Sequence, residues 1–347
     1  MFKASSLRYR YTQLYVLFIL GLFIYVVARS IGPGITNFQD NFYKKDFLIE
    51  QANLLRIKLG NRVFPVVLLG KDGWMHYTGD GELSYFQNTR KMENEEGLIK
   101  KLTTLNQYLK SQGITLIVVV APDKSSIYAD TLPGQITPLS AQSWLDSFIA
   151  YSGGDNLPVL VDLRPALQTA RREQDVFFKS DTHWNGYGAF AAYTTIINVL
   201  GNSYPELKPY AVSDLNMKLV TTDPEVRDTA RIMGITTVTE KNFLIAPKKS
   251  FVQTSHPSIY YGYNQFSSIP ESELPTLLMF HDSQGAHYLN DYMSMNFGES
   301  HFIHYLSIPE YLTRESIQQF KPDIIVIEMV ERALEQLDGL MPSWEAP

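Results

Sequence analysis

The chain alternates short apolar runs with segments in which apolar residues recur every three or four positions. Residues 97–113 place four leucines, spaced from Leu98 to Leu109, on one face of a helix that ends at a glycine. The apolar run 114–120 follows at once and predicts a buried strand. A helix leading directly into a buried strand is typical of proteins built from a parallel sheet with covering helices.

The same alternation continues towards the C-terminus. The predicted strands are "LPVLVDL" (157–163), "LPTLLMF" (274–280) and the end of "RESIQQFKPDIIVIEMV" (314–330). The predicted helices are "RPALQTARREQ" (164–174), "GYGAFAAYTTIINVLG" (186–201) and "HYLNDYMSM" (287–295). This order predicts an α/β fold with a mostly parallel sheet and helices on both faces. Residues 204–263 have a weaker periodicity, so we interpret them as an insertion.

The N-terminus carries a separate signal. Tyr11–Ala28 contains no charged residue and is long enough, at about 1.5 Å per residue, to cross most of a bilayer core of about 30 Å. Three basic residues precede it: Lys3, Arg8 and Arg10. By the positive-inside bias, this pattern predicts one transmembrane helix with the remaining chain outside the cytoplasm. A cleaved signal ending near Ala28 is the alternative, since small residues there fit a cleavage site.

These patterns divide the chain into three parts. We expect an N-terminal membrane anchor or uncleaved signal over residues 1–32 and a linker with a helix over 33–60. Residues 61–347 would form one catalytic domain with the insertion at about 204–263. A chain of 347 residues with 45% apolar composition is large enough to bury such a core.

Composition narrows the possible partners. The net charge is −6, and no dense group of lysines and arginines occurs, so nucleic acid is not expected as a partner. The chain contains no cysteine, which excludes disulfides, thiolate nucleophiles and cysteine-metal sites.

Candidate chemistry lies where the predicted strands end, because open α/β sheets bind ligands at the carboxyl ends of their strands. Ser283 follows the strand 274–280 in a glycine-containing turn that leads to a helix, a position suited to a nucleophile. A serine needs a base, and His183 with Asp181 would supply the base and its orienting carboxylate. We therefore expect the three residues to converge on neighbouring strand ends. A helix-capping serine and a structural Asp–His pair remain the alternative.

Four further residues are candidates for substrate binding. Lys124 and Tyr128 follow the strand 114–120, where an ammonium group and a phenol could hold an anionic or hydroxyl-rich ligand. Trp184 could stack on a sugar ring, and Arg332 could anchor a substrate. The alternatives are a solvated lysine, a tryptophan packed in the core and an ordinary ion pair of the arginine.

Five motifs in one order carry a family resemblance: "GKDGW", "APDKSSIY", "DTHWN", "FHDSQG" and "KPDIIVIEMVERAL". The order resembles that of the SGNH-hydrolase-like polysaccharide O-acetyltransferases of the alginate acetylation type, over about Val66 to Leu334. The resemblance implies an SGNH-hydrolase-like, flavodoxin-like fold with Ser283 as nucleophile, His183 as base and Asp181 as its partner. Ordinary SGNH hydrolases place the serine first, in a Gly-Asp-Ser block, and end with Asp-x-x-His. Here the acid and base come first, two positions apart, and His281 stands in place of the glycine. Of the oxyanion donors, only the Ser283 N–H is then implied.

The resemblance also implies a function. We expect an extracytoplasmic enzyme, periplasmic or at the cell surface, that acetylates hydroxyls of a polysaccharide through an acyl-enzyme, with no cofactor and no metal. A membrane-bound O-acyltransferase partner would supply the acetyl group. Three alternatives remain: an acetylesterase with the same triad, a non-catalytic membrane-anchored polysaccharide-binding or assembly protein, and a metal hydrolase using His183, His281 and His287.

Overall fold

The computed structural model describes residues 3–31, 43–152, 154, 156–221, 227–247, 252–258 and 262–344. The chain divides into two compact units. One comprises Met1–Asn61 with Met233–Thr236, and the other comprises Arg62–Ile232 with Thr237–Pro347. All of the candidate site residues belong to the second unit.

The apolar runs form strands. In chain order they are β1 Val63–Phe64, β2 Val67–Leu69, β3 Met75–Tyr77, β4 Thr115–Ala121, β5 Val159–Asp162, β6 Leu215–Thr221, β7 Lys241–Pro247, β8 Val252–Ser258, β9 Gly262–Ser268, β10 Thr276–His281, β11 Glu299–His304 and β12 Ile324–Val330. The predicted strands over 114–120, 157–163, 274–280 and the end of 314–330 correspond to β4, β5, β10 and β12.

The periodic segments form helices. They are α1 Lys3–Ile31, α2 Lys45–Lys58, α3 Glu82–Phe86, α4 Glu95–Ser111, α5 Lys124–Ile127, α6 Trp144–Ile149, α7 Arg164–Ala170, α8 Gly186–Leu200, α9 Asp228–Ile232, α10 Asn290–Met293, α11 Ile308–Tyr311, α12 Arg314–Phe320 and α13 Gln336–Leu340. The predicted helices over 97–113, 164–174 and 186–201 are confirmed as α4, α7 and α8.

A seven-stranded sheet organises the second unit, in the order β5-β4-β12-β10-β11-β9-β8. The first five strands in this order pair in parallel. Strands β9 and β8 extend one edge in antiparallel pairing. The prediction of a mostly parallel sheet is confirmed. Strand β8 lies in the region interpreted as an insertion and β9 begins at the end of that region, whereas β6 and β7 pair with each other in a separate two-stranded sheet.

Alternate side chains of β4 show why the sheet is buried on both faces. Ile117 and Val119 pack into one apolar cluster with α8, while Val118 and Val120 pack into the other with the leucines of α4. Those leucines are almost fully buried. Helices therefore cover both faces of the sheet, as the sequence predicts, and the carboxyl ends of the parallel strands are left to carry polar side chains.

The predicted N-terminal transmembrane helix is not supported by the structure. Helix α1 lies where the anchor is predicted. Within the part of the chain that the structure describes, no helix meets the combined requirement of length and apolar character for crossing a membrane.

Candidate active site

Three neighbouring strands, β4, β12 and β10, end side by side and place polar residues at one edge of the sheet. Asp123 follows β4, Arg332 follows β12, and Ser283 follows β10. Ser283 is exposed, whereas Asp123 is almost completely buried. The rule that ligands meet the carboxyl ends of the strands thus selects the right edge for Ser283.

The turn that carries Ser283 is fixed by buried carboxyl groups. One oxygen of Asp282 accepts the N–H of Gln284 at 2.7 Å, and the other accepts the N–H of Val330 at 2.7 Å. The Asp282 N–H in turn donates to the buried carboxyl of Glu328. Burial, followed by the nearby Asp282 charge, raises the pKa of Glu328 well above its usual value, so this carboxyl is neutral. The turn is therefore bound to β12 through both the side chain and the N–H of Asp282.

The helix after Ser283 begins with an irregular turn. Residues Gly285–Leu289 form a π-helical turn, and Tyr288 adopts a φ of 71°, which is rare for a bulky side chain. The irregularity directs His287 back towards the start of the helix, where its Nδ1 donates to the Ser283 carbonyl at 2.7 Å. The indole of Trp184 donates to the His287 carbonyl at 2.8 Å.

Asp181 and His183 lie in a loop that doubles back on itself before α8. Phe177 and Trp184 form an antiparallel bridge across the loop. Asn185 caps α8 by accepting the N–H groups of Tyr187 and Gly188, each at 3.0 Å. The sequence correctly places these polar residues before a helix. The prediction that they lie at a strand end is wrong, because they lie in a loop.

The Asp181–His183 pair has the geometry of a base and its orienting partner. One Asp181 oxygen lies 2.6 Å from His183 Nδ1 and also accepts the His183 N–H at 3.0 Å. Burial alone would raise the pKa of Asp181, but the hydrogen bonds and charge of His183 outweigh it and hold that pKa well below its usual range. A carboxylate at Nδ1 fixes the tautomer that leaves Nε2 with its lone pair.

Two further residues support this pair. Arg227 Nη1 lies 3.6 Å from the second Asp181 oxygen, and an Asp228 oxygen lies 3.7 Å from His183 Nδ1. Asp228 also accepts the N–H and the hydroxyl of Thr182. Asp181 is therefore a buried carboxylate with partners on both oxygens.

Gln284 joins the histidine loop to the serine turn. Its side chain is fully buried, its Oε1 accepts the Trp184 N–H at 3.2 Å, and its Nε2 donates to the Thr182 carbonyl at 3.3 Å. The residues on either side of His183 are thus bound to the residue that follows Ser283. This link brings together two segments that are about a hundred positions apart in the chain.

Ser283 and His183 are close in the fold but are not hydrogen-bonded to each other. His183 Nε2 is buried and, among the described residues, has no hydrogen-bond partner. A buried nitrogen lone pair without a donor is unusual in a folded protein. It is the atom to which a serine hydroxyl would donate in a working triad.

A cavity of about 740 Å³ opens beside Ser283. The residues that line it include Asp80, Ser283, His287, Tyr305 and Arg332. This volume lies within the range of small-molecule sites. Of the residues predicted for the triad and for substrate binding, Ser283 and Arg332 are in its lining; His281 and His287, named for the metal-hydrolase alternative, line it too.

Arg332 is held by buried carboxyl groups. It forms a close ion pair with Asp123 and lies 3.6 Å from Glu82. Burial, followed by the charge of Asp123, raises the pKa of Glu82 to about 8, so that carboxyl is largely neutral at pH 7. The ion-pair alternative for Arg332 is therefore realised, with Asp123 as its partner, although Arg332 also lines the cavity.

The other three binding candidates lie in the interior. Lys124 is buried, and its Nζ donates to three backbone carbonyls: Met75, Phe178 and Lys179, at 2.5, 3.0 and 3.2 Å. All three of its hydrogens are used, so none is left for a ligand. Tyr128 stacks on Trp74 with ring centroids 3.9 Å apart, and Trp184 is fully buried. For Trp184 the core-packing alternative is the one that the structure gives.

Asp181, His183 and Asp228 bring one ligand atom each within 4.8 Å of the others, so a metal site has to be considered. The 2.6 Å between Asp181 Oδ1 and His183 Nδ1 is a hydrogen-bond distance. Two atoms so close could both bind a metal at about 2.0–2.2 Å only at a very narrow angle, which does not fit the tetrahedral geometry of zinc. The pair fits proton transfer better than metal binding.

Sequence reasoning missed three contributors to this site: Gln284, His287 as a partner of His183, and Asp228. Gln284 and His287 both follow Ser283 closely in the sequence, but the position of His287 depends on the π-helical turn. Nothing in the sequence marks that turn, because the residue with positive φ is a tyrosine and not a glycine.

Comparison with known proteins agrees with this fold. The sequence model described as SGNH hydrolase-like domain, acetyltransferase AlgX matches residues 67–256, which is more than half of the chain. The chain is 29% identical over 218 residues to the probable alginate O-acetylase AlgJ of Pseudomonas fluorescens. That match covers 58% of this chain and 54% of the relative, so the chain spans about half the length of that protein.

A second relative and a solved structure extend the comparison. The probable alginate O-acetylase AlgJ of Pseudomonas putida is 23% identical over 96% of this chain and 92% of its own length. The structure of Bacillus cereus PatB1 with a sulfonyl adduct superimposes with a TM-score of 0.61. It is 16% identical and covers 82% of this chain and 99% of that one, which establishes a shared fold.

Proposed function

This chain belongs to the family of SGNH hydrolase-like domains of the acetyltransferase AlgX type, and we propose that it transfers acetyl groups to hydroxyl groups of a polysaccharide. Ser283 is the nucleophile, His183 the general base and Asp181 the residue that orients the base. The observation that carries the proposal is the Asp181–His183 pair, whose buried Nε2 has no hydrogen-bond partner among the residues that the structure describes. Gln284 ties this pair to the turn of the exposed Ser283.

In the first half of the reaction, the Ser283 hydroxyl approaches His183 Nε2, which takes its proton as Oγ attacks the carbonyl carbon of an acetyl ester or thioester donor. The tetrahedral intermediate collapses, the bond from the acetyl carbon to the donor oxygen or sulfur breaks, and His183 returns the proton to that leaving group. An acetyl ester on Ser283 remains.

In the second half, a sugar hydroxyl takes the place of the leaving group. His183 removes its proton while the sugar oxygen attacks the acetyl carbon, and the bond to Ser283 Oγ breaks. The proton then returns from His183 to Ser283. General base action of this kind contributes about 10²–10⁴-fold to the rate.

The negative charge of each tetrahedral intermediate needs hydrogen-bond donors. Ser283 is the first residue of its helical turn, so its N–H belongs to the helix N–H groups that have no acceptor within the helix. This N–H supplies one donor for the oxyanion, and the start of a helix favours negative charge.

Acetylation of an oligosaccharide by the purified protein tests the proposal. An aryl acetate serves as donor, and mass spectrometry measures the acetylated oligosaccharide while released acetate measures hydrolysis. We expect acetylated sugar with the wild type and none with Ser283→Ala. Hydrolysis of the donor without acetylation of the sugar would identify an acetylesterase. Donor turnover that is unaffected by Ser283→Ala would overturn Ser283 as the nucleophile.

We also propose that the protein works outside the cytoplasm and receives acetyl groups from a membrane-bound O-acyltransferase. Support for the location comes from the basic residues that precede the apolar segment 11–28. A reporter fused after Pro347 should be active only outside the cytoplasm, and activity inside would contradict the location. Fractionation of the same fusion tests membrane anchoring, and co-purification from membranes tests the partner.

A further inference from the structure

The ring of His287 lies directly on the ring of His183. Their centroids are 3.7 Å apart and their planes differ by 12°. His183 is therefore covered on one face by a second imidazole, and its Nδ1 edge is occupied by Asp181. Neither the Asp–His–Ser arrangement nor the fold requires this second ring.

Two hydrogen bonds hold His287 in that position. Its Nδ1 donates to the Ser283 carbonyl at 2.7 Å, and its own carbonyl accepts the indole N–H of Trp184 at 2.8 Å. The adjoining Tyr288, at a φ of 71°, interrupts the helix and makes this placement possible. Backbone conformations of this kind are strained and are concentrated at functional sites.

His287 is neutral at physiological pH. Burial, followed by the neighbouring His183, lowers the pKa of His287 to about 4. Because the Ser283 carbonyl can only accept, the proton of neutral His287 is on Nδ1. The stacked ring is then an uncharged aromatic surface against a histidine that becomes a cation whenever it takes a proton.

We propose that His287 is a positioning residue that stabilises the protonated form of His183 by stacking on it. The inference rests on the proposed function, since His183 becomes a cation only when it removes the proton of Ser283 or of the acceptor sugar. Asp181 stabilises this cation at the Nδ1 edge, and His287 stabilises it at the ring face.

The charged groups near His183 lie at its Nδ1 edge and not against the ring face that His287 covers. Asp181 and Asp228 both face the Nδ1 side of His183, and Arg227 lies behind Asp181. A cation on an aromatic face is stabilised most when it is desolvated, and His183 is only 8% exposed. The strength of a contact between a cation and an aromatic face corresponds to about a 3- to 30-fold effect on the rate.

Two substitutions separate the ring from the hydrogen bond. His287→Phe keeps an aromatic face but removes the Nδ1 donor, whereas His287→Asn keeps a donor near the position of Nδ1 but removes the ring. The matched control is His301→Asn, since His301 is on β11 and outside the cavity lining. The rate of Ser283 acetylation by an aryl acetate is measured between pH 5 and 9, with the melting temperature of each variant.

We expect the Phe variant to stay within about threefold of the wild type and the Asn variant to lose about 3- to 30-fold. The acid limb of the Asn variant should also lie at lower pH than that of the Phe variant, because the His183 cation has lost a stabilising contact. The stacking role is overturned if the Asn variant keeps the wild-type rate, or if Phe loses as much as Asn. A wild type that is no faster than Ser283→Ala would instead overturn the proposed function.

Discussion

Replacing Gln284 with methionine should disconnect the histidine loop from the serine turn. Methionine has a similar length and fills the buried space, but it cannot bond the Trp184 N–H or the Thr182 carbonyl. A buried backbone group left unpaired costs about 1–3 kcal/mol. The two contacts are long, at 3.2 and 3.3 Å, so we take the lower part of that range and expect a total loss of about 2–3 kcal/mol.

For a domain of this size, 1 kcal/mol shifts the melting temperature by about 2–4 °C, so Gln284→Met should melt about 4–12 °C lower. A displacement of His183 by about 1 Å could further lower kcat by about a hundredfold. Differential scanning calorimetry and aryl acetate turnover below the transition measure the two effects. The matched control is Gln319→Met, because Gln319 is exposed on α12.

If Gln284→Met melts within about 2 °C of the wild type and its turnover is unchanged, Gln284 does not connect the two segments. A lower melting temperature with unchanged kcat would leave Gln284 as a stabilising residue and remove its role in placing His183. The control should change neither quantity.

Three other perturbations test separate parts of the account. Asp181→Asn should lower kcat by about a hundredfold or more, yet less than His183→Ala, because nucleophile and base remain. Since folding lowers the Asp181 pKa, its contribution to stability is present above about pH 4 and is lost as the pH falls; the melting temperature between pH 3 and 7 should therefore fall less in the Asn variant. Lys124→Met should lower the melting temperature but leave KM unchanged, as its Nζ bonds only backbone carbonyls, and a raised KM would contradict this. The charged side chains in the described cavity lining are Asp80, Asp282 and the paired Arg332, so a neutral oligosaccharide should have a higher kcat/KM than a uronic acid oligomer, and the reverse order would contradict that expectation.

The pattern of apolar residues is sufficient to predict the parallel part of the sheet. Strands β4, β10 and β12 are mostly apolar runs, with Glu328 as the one charged residue inside β12, and such runs are required where both faces of a strand are buried. The antiparallel edge was not predicted, because β8 and β9 contain polar residues and their pairing depends on contacts distant in sequence. Local patterns do not encode such pairing.

The site was predictable in part for a similar reason. Residue types and order indicate Ser283, His183 and Asp181, since few combinations of side chains can perform nucleophilic catalysis. The environment of a single residue depends, by contrast, on how deeply the fold buries it. Lys124 follows a strand end and was therefore a candidate for ligand binding, yet its ammonium group is enclosed by three backbone carbonyls. Burial also lowers the pKa of Lys124 to about 8, an effect that no local pattern shows.

The central claim is that Ser283 carries the acetyl group and that His183 activates it. The most direct measurement is rapid-mix mass spectrometry of the intact protein with an aryl acetate, followed by peptide mapping. We predict one acetyl group on Ser283 in the wild type, much slower acetylation of Ser283 in His183→Ala, and no acetylation at position 283 in Ser283→Ala or the double variant. Turnover by the double variant should be scarcely slower than turnover by either single variant. Acetylation of the wild type at another residue, or equal acetylation of His183→Ala at Ser283, would contradict the account.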